Sequence, residues 1–187
     1  KKSKADILVM AARAVEYARK SFSYVNFSAE DASRTEPGYL VRLYEAAISA
    51  GATSIGFPDT LGVLTPDEVK ERLEFLRAHV RGLRGVLLGV HFHDDFGLAT
   101  ANTLAAVQAG ADMVHCTVGG IGERAGNAAL EETAAVLTLR PDLYGRAIRL
   151  EAAKLAPLCR LVSDLTGLPI PPNKAVDRKS VVEGKGV

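Results

Sequence analysis

Cysteine is scarce in this sequence. Its two cysteines in 187 residues, Cys116 and Cys159, are too few for a disulfide scaffold and lack CxxC spacing, so both read as reduced thiols. Long apolar runs are missing as well. No stretch approaches the ~18 uninterrupted apolar residues of a membrane span, and the Lys-Lys-Ser-Lys start lacks the apolar core of a secretory signal. A cytoplasmic location with no membrane partner is expected. There is no excess charge of either sign, since 23 Lys plus Arg meet 22 Asp plus Glu, so no overall field recruits nucleic acid. What is present, 48% hydrophobic and 24% charged, matches ordinary globular usage.

Strand-like and helix-like segments alternate. A helix at about 4 to 19 places Ile7, Leu8, Ala11, Val15 and Ala18 on one side. Tyr24 to Ser28 reads as a strand that runs into Ala29-Glu30-Asp31. A helix at about 37 to 50 leads to a strand over 52 to 57, followed by Pro58-Asp59-Thr60. A third helix, about 65 to 79, opens with Thr65, Pro66 and Asp67 as start signals. Val86 to Val90 is short and branched and reads as a strand buried on both faces. Gly97 to Gly110 reads as a helix, and Met113 to Thr117 as a further strand. Four βα units of about 30 to 35 residues imply a parallel sheet with helices outside it. Composition leaves two architectures open, half of a (β/α)8 barrel or a small doubly wound sheet.

The chemistry gathers between Val90 and Asn127. His91 and His93 are separated by one residue at the end of an apolar run, so their side chains leave one face of a strand. They stand where a buried parallel strand gives way to the loop before a helix, which is where α/β folds place their sites. A two-histidine metal clamp is expected there, although an isolated pair is also compatible with a structural role.

Four motifs in order, FSAEDASRT at 27 to 35, FPDTLG at 57 to 62, HFHDDFGLATANTLAAVQAGAD at 91 to 112 and GGIGERAGNAALEE at 119 to 132, resemble the family of 2-isopropylmalate, homocitrate and citramalate synthases. LVSDLTGLPIPPNKAV at 161 to 176 extends the resemblance, which covers roughly residues 4 to 176. It implies an α/β fold: the C-terminal half, about strands 5 to 8, of a TIM (β/α)8 barrel over residues 1 to 140, with a helical segment at 141 to 176. It also implies a Claisen-type condensation of acetyl-CoA with a 2-oxo acid, one divalent cation (Mg2+, Mn2+ or Zn2+), and a homodimer at full length. By the same resemblance, His91, His93 and Asn127 are metal ligands, Thr60 binds the oxo-acid carboxylate, and Glu30 and Glu123 are catalytic. Asp94, Arg124 and Gly126 support them, with Gly122 and Gly126 permitting close backbone approach.

Simpler readings stand beside these. Thr60 is also an ordinary turn residue, Glu123 and Arg124 a surface ion pair, and Asp94 a solvated loop acid where relatives often have Asn. His115 is either a satisfied core histidine or one that looks inward. The aspartate ligand and arginine that the family takes from its first barrel strand have no match here, and the segment at 177 to 187 has no family counterpart. The expectation is therefore a fragment carrying three of four protein ligands, inactive alone. Related barrels also run as acyl-CoA lyases or biotin-linked carboxyltransferases, and a metal-binding module without turnover is the reading outside enzymes. RPDLYG at 140 to 145 favours the isopropylmalate branch, hence leucine biosynthesis.

Overall fold

Four short strands lie side by side in chain order, all parallel. They are β1 (Asn26–Ser28), β2 (Ser54–Asp59), β3 (Leu87–Phe92) and β4 (Met113–His115). This is a computed structural model, and it describes residues 2 to 145, 148 to 171 and 174 to 175; the segment at 177 to 187 lies outside the described residues. Helix α1 (Lys4–Arg19) precedes the sheet, and each strand is followed by a helix: α2 (Pro37–Ser49), α3 (Pro66–His79), α4 (Ala99–Gln108) and α5 (Leu130–Leu139). Two more follow, α6 (Pro141–Tyr144) and α7 (Leu155–Thr166). Among the described residues, no helix is long and apolar enough to cross a membrane.

The strand order decides what composition left open. Parallel crossovers are right-handed, so an order that never reverses delivers every helix to the same side of the sheet. A doubly wound sheet needs a reversal, and β1-β2-β3-β4 has none. The sheet is singly wound.

Its two faces differ accordingly. Register aligns Phe27 with Ile55 and Leu88, then Phe57 with Val90, then Asp59 with Phe92. Ile55, Phe57, Leu88, Val90 and Phe92 are buried, in one cluster with Leu40, Leu43 and Tyr44 of α2 and Leu73 and Leu76 of α3. The alternate residues form the rows Ser28, Gly56, Gly89, Met113 and Pro58, His91, His115. That face is small and polar, and it carries the histidines.

Local chemistry sets the element ends. Thr65 caps α3 in a capping box with Glu68 and puts Pro66 in the first turn, as its start signals predict. The first strand begins at Asn26 rather than Tyr24, because the Val25 N–H donates to the Thr53 hydroxyl, 2.9 Å away, instead of to a strand carbonyl. Helix α4 starts at Ala99 rather than Gly97, which holds a left-handed φ of 69° in the preceding turn. Leu87 is exposed, so β3 is buried on both faces only beyond its first residue.

The Tyr44 hydroxyl donates to the Gly56 carbonyl at 2.7 Å, and complete burial raises its pKa strongly. Tyr44→Phe leaves that buried carbonyl short of a partner and is expected to cost about 1 to 2 kcal/mol. Urea unfolding monitored by circular dichroism checks this, and an unchanged midpoint contradicts it.

Candidate metal centre

Strand parity and the β3 register bring the histidine pair to the end of the sheet from which the helix-bound loops depart. His91 Nε2 and His93 Nε2 lie 3.2 Å apart, with ring centroids at 5.0 Å. His93 is buried and His91 partly so. Asn127 completes the group. Its backbone forms an isolated antiparallel bridge with His93, and its Nδ2 lies 3.2 Å from His91 Nε2 and 3.4 Å from the Phe92 carbonyl. His115 stands further off, its ring centroid 5.9 Å from that of His91.

Two neutral imidazole lone pairs at this distance repel unless a proton or a cation lies between them. Ligands at ~2.1 Å from one cation stand ~3.0 to 3.4 Å from each other in octahedral or tetrahedral geometry, so the observed spacing fits two nitrogens on one ion. The two ends of the Asn127 amide are isosteric. A half-turn sets Oδ1 where Nδ2 now lies, giving a third donor. Gly122 lies so close to the Asn127 amide that a Cβ there would overlap Oδ1. Two imidazoles and an amide oxygen suit a borderline-to-hard divalent ion. Among the described residues, no group of three or more His, Cys, Asp or Glu side chains could hold a metal, so the donors here form a partial set. His93 Nδ1 is buried without a hydrogen-bond partner, whereas a ligating imidazole ordinarily donates from its second nitrogen.

The expected supporting residues divide. Arg124 donates from Nε to Asp95 Oδ1 at 2.7 Å and from Nη2 to Asp95 Oδ2 at 2.8 Å and the Thr60 carbonyl at 2.6 Å. Its close partner is thus Asp95, and Glu123 contributes only a 3.7 Å ion pair with a side chain 82% exposed. The fork hydrogen bond and charge of Arg124 hold the Asp95 carboxyl below the usual range. Thr60 accepts from the Asp31 N–H at 2.8 Å, tying the loops after β1 and β2. Asp94 accepts from the Ala99 N–H at 2.8 Å at the start of α4 and, through its own N–H, donates to the Gly126 carbonyl at 2.9 Å. It organises the loop through backbone. Gly126 takes φ 97° against the Gly120 carbonyl, where a Cβ would clash. Glu30 is exposed just beyond β1.

Sequence reading passed over three supports. Asp59 is fully buried and accepts from Ser33 Oγ at 2.7 Å and the Leu64 N–H at 2.9 Å. Asp95 is the anchor of Arg124. Gly62, at φ 61°, gives the chain beside His93 room, since a Cβ would stand 2.7 Å from the His93 carbonyl. The Pro-Asp-Thr-Leu-Gly and His-Asp-Asp runs hold all three, but the partners lie in other loops.

The family pattern described as HMGL-like matches residues 1 to 162. The chain is 49% identical over 176 residues to 2-isopropylmalate synthase of Pyrococcus furiosus, covering 94% of this chain and 35% of that protein. It is 48% identical over 170 residues to 2-isopropylmalate synthase of Shouchella clausii, covering 91% and 33%. It thus spans about a third of the length of these relatives. Among solved structures it resembles HMG-CoA lyase of Bacillus subtilis, with TM-score 0.74, 24% identity, and coverage of 92% of this chain and 59% of that one. That likeness supports the fold.

Burial, then the charges of His93 and His115, lower the His91 pKa below the ordinary 6.5. The unfolded chain therefore binds the proton more readily. The stability this contributes is fully present above pH 6.5 and is lost as pH falls from there through the depressed value. NMR titration of His91 is expected to give a midpoint below 6.5, with the denaturation midpoint falling over the same range; a midpoint at or above 6.5 contradicts the burial argument.

Proposed function

The chain belongs to the HMGL-like family, and on that premise we propose that it is the metal-holding part of an acyltransferase that condenses acetyl-CoA with a 2-oxo acid, a 2-isopropylmalate synthase. The observation that carries this reading is the convergence of His91, His93 and Asn127. Identity of 48 to 49% to 2-isopropylmalate synthases over most of the chain favours condensation. In this reading the four strands are strands 5 to 8 of a (β/α)8 barrel over residues 1 to 140, with residues 141 to 176 as a post-barrel helical segment. The singly wound order, with β1 and β4 at the sheet edges among the described residues, agrees with that assignment. The full-length enzyme is a homodimer.

His91, His93 and the Asn127 amide oxygen hold one divalent ion, Mg2+, Mn2+ or Zn2+. Once bound, that ion supplies Lewis-acid polarisation of the oxo-acid carbonyl and charge stabilisation at the developing alkoxide. The depressed His91 pKa keeps its lone pair free at neutral pH. Thr60 Oγ1 accepts from the Asp31 N–H, so its own proton is free to donate to the substrate carboxylate. Arg124, spent on Asp95 and the Thr60 carbonyl, keeps that hydroxyl in place. Glu30 and Glu123, exposed in the loops after β1 and β4, are the candidates for taking a proton from the acetyl methyl group.

The test is release of CoA thiol from acetyl-CoA and 2-oxoisovalerate by the enzyme whose reading frame contains this segment. Divalent-dependent release is expected, with His91→Ala lowering kcat/KM about a hundredfold or more and Thr60→Val about tenfold to a hundredfold with the larger share in KM. Metal-independent turnover, or cleavage of 3-hydroxy-3-methylglutaryl-CoA in place of condensation, overturns the reading.

A further inference from the structure

The turn between β4 and Asn127 has an anchor that the reading above leaves unused. Glu131, in the first turn of α5, is 2% exposed. Its Oε2 accepts from the Gly119 N–H at 3.0 Å, while Oε1 has no hydrogen bond and lies 3.5 Å from Lys174 Nζ. Lys174 also bonds Glu132 Oε1, and the other Glu132 oxygen accepts from Thr100 Oγ1 of α4 at 2.8 Å. One ammonium therefore serves two carboxylates. Burial opposes charge on Lys174, but the hydrogen bond to Glu132 and the charges of Glu132 and Glu131 outweigh it and raise its pKa.

The bond at Gly119 bears on the candidate site. Gly119 and Gly120 both take left-handed φ values, 69° and 73°, and Gly120 accepts through its carbonyl from the Asn127 N–H at 3.0 Å. The path runs from Lys174 through Glu131 to Gly119, and through the next residue to the backbone of Asn127. The turn lies against α5 and α7 but is not sealed by them. It borders a cavity of about 190 Å3, shared with Glu131, Lys174, and Val162 and Leu168 in and beyond α7. A buried carboxylate stripped of its cation turns toward water, and that movement breaks its bond to the Gly119 amide.

We infer that Lys174 is a positioning residue for Asn127: by pairing with Glu131 and Glu132 it latches the segment after α7 onto the Gly119–Gly120 turn and fixes the third donor beside the histidine pair. Its relevance to metal rests on the centre proposed above. The latch itself does not.

The experiment is amide hydrogen exchange by NMR on the metal-free 187-residue chain, with Mn2+ affinity read separately by electron paramagnetic resonance. In Lys174→Met, exchange at Gly119 and Asn127 is expected to quicken about tenfold or more while β3 amides stay protected, and Mn2+ binding to weaken about tenfold. Lys174→Arg should restore both. Lys174→Met combined with Glu131→Gln should recover protection to within about threefold of the unaltered chain, because the fully buried position no longer carries a charge and only Glu132, part-exposed and still bonded by Thr100, loses its cation. Unchanged exchange at Gly119 and Asn127 in Lys174→Met overturns the inference, as does loss that extends equally to β3. If Lys174→Met does not fold, a double variant less protected at Gly119 than Lys174→Arg by more than about tenfold overturns it too. An unaltered chain that binds no Mn2+ refutes the metal centre, and the exchange comparison still decides the latch.

Discussion

Two imidazole nitrogens that face each other 3.2 Å apart are the constraint around which the rest of this structure is arranged. Either one ring carries its single proton on Nε2 and donates to the other, or a cation lies between them; burial and the neighbouring histidines work against a second proton on His91. The same spacing suits two lone pairs turned to one shared cation. The strand supplies their common direction, and the loop carrying Asn127 supplies the next donor. The sheet face they share carries Gly56 and Gly89 in the neighbouring row.

Such a site is only as good as the loops that hold it. Three of them, after β1, β2 and β3, meet at Thr60 and Asp95, and the Arg124 fork from the loop after β4 fastens the last two. Asp59 keeps its own loop closed by accepting from Ser33 and Leu64. Half of these contacts use a backbone atom on one side. They fix loop shape rather than add recognition groups, and that leaves the donors of His91, His93 and Asn127 aimed inward. The glycines at 62, 122 and 126 stand where a Cβ would collide with that framework.

The architecture could be read from the sequence because its periodicities are local. The alternation of strands with helices is written in consecutive residues, and all four strands and the first four helices lie where that pattern places them, within a few residues at the ends. Shifts at Val25 and Gly97 came from single side-chain or φ effects that a hydrophobic pattern does not encode. The histidine pair was equally plain, since a one-residue spacing on a strand fixes a shared face. The pairing of Arg124 with Asp95, the capping of α4 by Asp94, and the reach of Lys174 to α5 were not, because each joins residues 5 to 42 positions apart through loop geometry. Strand order, which separates a singly from a doubly wound sheet, also became visible only in three dimensions.

The central claim, that His91 and His93 bind one divalent ion together, is most directly tested by pulsed electron paramagnetic resonance of the chain with Mn2+. The account predicts nitrogen modulations from two imidazoles on one ion, reduced to one in His93→Ala. Mn2+ that shows only water protons, or a single imidazole in the unaltered chain, would contradict it.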